Sequence, residues 1–159
     1  MSRGGDIGPL LWGDAEYSFR LGIGELRKVQ ERCDSGPAEI ATRLYAIATT
    51  VKNKGTVEQA VAFGMGGAWK VDDVREVILR GLVGGGMTEH DAAKVVRERL
   101  DEQMDFKRGA PLAYAIIMAA ISGPEDEPLG EEKAGTEKPK RRSRATKSGS
   151  ETYTKSAEQ

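Results

Sequence analysis

The chain is short of the residues on which most enzyme chemistry rests. Its 159 residues include one histidine, His90, and one cysteine, Cys33. A lone cysteine permits no intramolecular disulfide and fits a reducing, cytoplasmic setting. A zinc site needs several ligands at suitable spacing, and a serine triad needs a nucleophile turn beside its histidine. No Gly-x-Ser-x-Gly occurs, and His90 and Cys33 are far apart in the chain. The plain reading places His90 exposed in a first helical turn and Cys33 inert on an apolar stripe. Long hydrophobic runs are also missing. The longest, Ala110 to Ile121, falls short of the roughly 20 residues a bilayer span requires, so no membrane helix is expected. The first six residues lack the apolar stretch of a signal peptide. Aromatic residues amount to only 6%, and neither charge sign prevails: the net charge is −1. Such a chain has no bulk attraction to nucleic acid.

Glycine, by contrast, is plentiful at 20 residues. Gly22-Ile23-Gly24 lies between a strand-like and a helix-like segment, where a phosphate loop would sit. The third glycine is missing, and Glu25 would repel phosphate. Neither Gly64-Met65-Gly66-Gly67 nor Gly84-Gly85-Gly86 is followed by the Lys-Ser/Thr of a P-loop. These glycines read as turns and helix stops, and no cofactor is expected. Asp72-Asp73 reads as negative charge favoured by a helix N-terminus. Glu125-Asp126-Glu127 lies at the edge of a polar tail, where burial cannot tune a catalytic carboxylate.

Periodicity predicts a mainly α fold. The stretch 10–22 reads as a small hairpin turning at Gly13-Asp14, with Ala15, Tyr17, Phe19 and Leu21 on one face. A helix over 24–34 shares Leu26, Val29, Gln30 and Cys33 on its inner side. Pro37 opens a second helix with Ile40, Leu44, Ile47 and Val51 as its stripe, ending at Asn53-Lys54-Gly55. Thr56 to Phe63 can form a short helix before the glycine-rich loop at 64–67. Val71 to Val83 is a clear helix through Val71, Val74, Val77, Ile78 and Leu82, with Glu76 and Arg80 at i,i+4 in the favourable order. Thr88 caps the next helix, with Asp91 in the capping-box position. Ala92, Val95, Val96 and Leu100 face inward and Arg97, Glu98 and Arg99 face solvent. Residues 104–110 read as a connection. Pro111 to Ser122 is apolar on all sides, the mark of a central helix covered by its neighbours.

Beyond Glu125 the composition turns to Lys, Glu, Ser, Thr, Pro and Gly. The expected organisation is a flexible N-terminus over 1–7, a folded domain over 8–124 and a disordered charged tail over 125–159. The domain is expected to be a small bundle of about five helices carrying an N-terminal hairpin.

Several blocks resemble the gene transfer agent family of phage-tail proteins. They are Gly13-Asp14-Ala15-Glu16-Tyr17 with Phe19-Arg20-Leu21-Gly22, the block Trp69 to Gly86, and Pro111-Leu112-Ala113 through Gly123-Pro124-Glu125-Asp126-Glu127-Pro128-Leu129-Gly130. Their order and approximate spacing match over about residues 12–130. The stretch from Tyr45 to Gly67 and the tail beyond Gly130 are longer than the family pattern. The family is described both as tail-tube-like and as tail assembly chaperones; the resemblance, with the helical reading, implies a chaperone, a non-enzymatic protein that holds the tape-measure protein and assists the tail-tube protein during assembly. It offers no catalytic residue to carry over.

On that expectation, Val57, Val61, Phe63 and Met65 are candidates for a partner-binding surface, although the plainer reading is that they finish the core. Lys138, Lys140, Arg141, Arg142 and Arg144 are candidates for electrostatic contacts of the tail. They carry no interleaved aromatics for base stacking, so nucleic acid is not the expected partner. A structural tail subunit retained in the particle is the first alternative, and a nucleic-acid accessory using the basic run is the second.

Overall fold

The structure, a computed structural model, describes residues 3–62 and 68–123. Among these, the chain forms one antiparallel hairpin and six α-helices. The 64–67 loop and the tail over 125–159 lie outside the described residues.

Strands β1 (Asp6–Trp12) and β2 (Ala15–Arg20) pair through a Gly13-Asp14 turn, with Gly13 at φ +71°. Glycine carries that left-handed conformation without a Cβ penalty. Strand β1 starts at Asp6, earlier than the expected Leu10 and within the segment expected to be flexible. The reason is local: Asp6 faces Arg20 across the ladder and pairs with it at 3.3 Å. An irregularity between Ile7 and Leu10 absorbs Gly8-Pro9, since proline has no N–H for the ladder. The alternation along β2 holds, with Phe19 buried, Tyr17 half-buried and Glu16 and Ser18 exposed. Leu21, just past the strand, is also buried.

The helices are α1 (Ile23–Cys33), α2 (Pro37–Lys52), α3 (Val57–Ala62), α4 (Val71–Gly84), α5 (Glu89–Val96) and α6 (Phe106–Ser122). Helix α4 is the hub: α1, α2, α5, α6 and β2 all pack on it. Val74, Val77, Ile78 and Leu82 are buried there, as the spacing predicts; Leu79, not on the expected stripe, is buried too, and Val71 is 55% exposed at the helix entrance. Gln30 of α1 is exposed and Val95 of α5 only half-buried. Each sits at the edge of its stripe, where a helical face turns toward water.

Helix α5 passes into one π-helical turn, Arg97–Asp101, closed by the Glu102 N–H donating to the Arg97 carbonyl at 2.9 Å. Asp105 then caps α6 by accepting from the Arg108 N–H at 3.2 Å. The helix thus starts at Phe106, inside the stretch expected to be a connection. Pro111 lies within it, at the cost of one hydrogen bond to the Lys107 carbonyl. Gly109 explains the early start. A Cβ there would come within 2.8 Å of the Leu100 side chain and 3.3 Å of Val74, so glycine lets α6 close against α4.

Gly84-Gly85-Gly86 does more than stop α4. The Gly86 N–H donates to the Val83 carbonyl at 3.1 Å and the Met87 N–H to Leu82 at 3.1 Å, with Gly86 at φ +111°. This is a Schellman closure. Gly84 and Gly85 serve a second purpose. A Cβ on Gly84 would collide with the Arg20 carbonyl oxygen, and one on Gly85 with that of Ser18. The β2 backbone therefore lies directly on the end of α4. Gly85→Ala should cost about 3 kcal/mol by overpacking. Gly86→Ala, in open space but at positive φ, should cost about 1 kcal/mol. Urea denaturation midpoints of the two variants check this order.

Candidate functional site

The structure places two carboxylates inside the bundle, both on α4. Asp73 is fully buried. Sequence reading assigned it to helix-dipole electrostatics; its partners make it a structural ion-pair centre instead. It accepts the Lys70 N–H at 2.8 Å, closing the N-terminus of α4, and receives both Nε and Nη2 of Arg43 at 2.8 and 2.6 Å. Arg43 also donates to Glu39 at 2.9 Å and to the Ser35 hydroxyl at 2.8 Å. The Asp73 carboxylate raises the affinity of Arg43 for its proton above the ordinary value, against the opposing effect of burial.

Glu76 is the second, with only 5% of its side chain exposed. It was expected to pair with Arg80 at i,i+4. That pair exists at 3.7 Å, but Arg75 at 3.7 Å and Arg32 at 3.8 Å share the same carboxylate. Arg80 continues to Glu89 of α5 at 3.0 Å, and Arg75 to Asp101 at 3.1 Å. Beside this network lies an open cleft of about 670 Å³ lined by Lys28, Glu31, Arg32, Glu76, Arg80 and Glu89. Its three acids and three bases oppose one another. The cleft therefore presents no net charge to select a ligand, and its ion pairs join α1, α4 and α5.

Arg99 was expected to face solvent. It instead donates to the Tyr17 hydroxyl at 3.0 Å, to Asp14 in the hairpin turn, and lies 5.7 Å from the Tyr17 ring centre. The hydrogen bond from Arg99 holds the Asp14 carboxyl below its ordinary value. This latch ties the hairpin to the π-helical turn.

Cys33 is buried on α1, as the stripe implied, and its thiol donates to the Asp72 carbonyl at 3.3 Å. Burial, reinforced by the negative charges of Asp73, Glu76 and Asp72, pushes the thiol up to about 12. His90 is exposed in the first turn of α5. Among the described residues, no three His, Cys, Asp or Glu side chains converge to hold a metal ion. No described helix is long and apolar enough to cross a membrane.

The second concavity is apolar. A groove of about 350 Å³ runs between α2 and α6, lined by Ala38, Ala41, Thr42, Tyr45, Tyr114, Met118 and Ile121. Tyr45 and Tyr114 meet edge to face, with ring centres 5.9 Å apart. Tyr45 is 56% and Ile121 44% exposed. Helix α6 is therefore not covered all round as its composition suggested. Its inner side, Ala113, Ile116 and Ile117, is buried, while Tyr114 and Met118 form a half-buried outer wall.

The partner-binding candidates named from sequence do not form this groove. Val57 packs half-buried against the core and Val61 is exposed on α3, while Phe63 and Met65 lie outside the described residues. So do Lys138, Lys140, Arg141, Arg142 and Arg144. The signal for the groove was present but misassigned: an all-apolar α6 carries more nonpolar surface than its neighbours can cover. Comparison with protein families, curated proteins and solved structures finds no match to the chain.

Two outcomes follow. Arg43→Met leaves Asp73 buried without its cation and should cost about 3–5 kcal/mol, whereas the double variant Arg43→Met/Asp73→Leu should recover much of it. Chemical denaturation compares them. Cys33 should resist a disulfide reagent at pH 8 in the folded chain and react once unfolded. From the usual 9.0 to about 12 the unfolded chain releases a proton that the folded one keeps. Stability should therefore decline as pH rises through that window and show no contribution from Cys33 below it.

Proposed function

We propose that this chain is a phage-type tail assembly chaperone, binding the tape-measure protein, the tail-tube protein or both while a tail is built. The observation that carries the reading is the open apolar groove between α2 and α6. Exposed nonpolar concavities between helices are where partner helices dock. Two turns of such surface are left uncovered while the interior around α4 is closed and neutralised.

The resemblance of residues 12–130 to the gene transfer agent family supports the same reading and supplies the setting. The secondary structure favours an assembly factor over a tube subunit. Stacked tube rings need extensive sheet, and the described residues hold a single two-stranded hairpin.

The chain should co-purify with its cognate tape-measure or tube protein when these are expressed together. Mass spectrometry should find it absent from finished particles. No association with either protein would overturn the proposal, and stoichiometric retention in particles would favour a structural subunit.

A further inference from the structure

We draw no further inference here: the strongest candidate, the open apolar groove between α2 and α6, carries nothing beyond the reading above, because nothing in the structure shows what covers it.

Discussion

Burying two carboxylates on one central helix is the constraint around which this fold is arranged. Helix α4 touches nearly every other element, so any charge on its inner faces leaves water. Asp73 and Glu76 do so, and each demands cations from a different neighbour: Arg43 from α2, Arg32 from α1. Oil-like packing around Val74, Val77, Ile78 and Leu82 supplies the bulk of the driving force but no angular information. The guanidinium partners supply it. Arg43 grips Asp73 through two nitrogens, which fixes α2 in both distance and direction relative to α4.

The order and type of the elements were legible because they depend on local pattern. The inner faces of β2, α2 and α4 could be read from spacing alone, and Thr88 marked α5 as its N-cap. What the structure adds there is detail: the Thr88 hydroxyl accepts the Asp91 N–H and donates to the Asp91 carboxylate. The misses share one cause, which is that nonlocal contact decided them. Asp73 looked like a helix-start acid because it lies in the first turn, whereas Arg43 is distant in sequence. Arg99 looked solvated because nothing nearby announces Tyr17 and Asp14. The start of α6 was hidden by Gly109, a poor helix residue chosen for close approach to Leu100.

The groove illustrates the same limit from the other direction. Helix α6 was correctly read as apolar throughout, and burial on every side was the natural conclusion. A bundle of this size has too few elements to surround every helix, and α6 lies at its flank, with α2 and α4 on two sides. The excess nonpolar surface appears as Tyr114, Met118 and Ile121 facing outward beside Tyr45. Sequence could count that excess, but only the arrangement of neighbours shows where it emerges.

The meeting of Gly84 and Gly85 with strand β2 has a consequence for how this protein tolerates change. It is a contact between main chains, so it is indifferent to the side chains that Ser18 and Arg20 happen to carry. Replacement of the outward residues of the strand would leave the seat intact, while any methyl group on the glycine side would unseat the whole hairpin. The two partners in one junction thus bear opposite mutational burdens: an outward strand position such as Ser18 is free to vary there and the helix end is not.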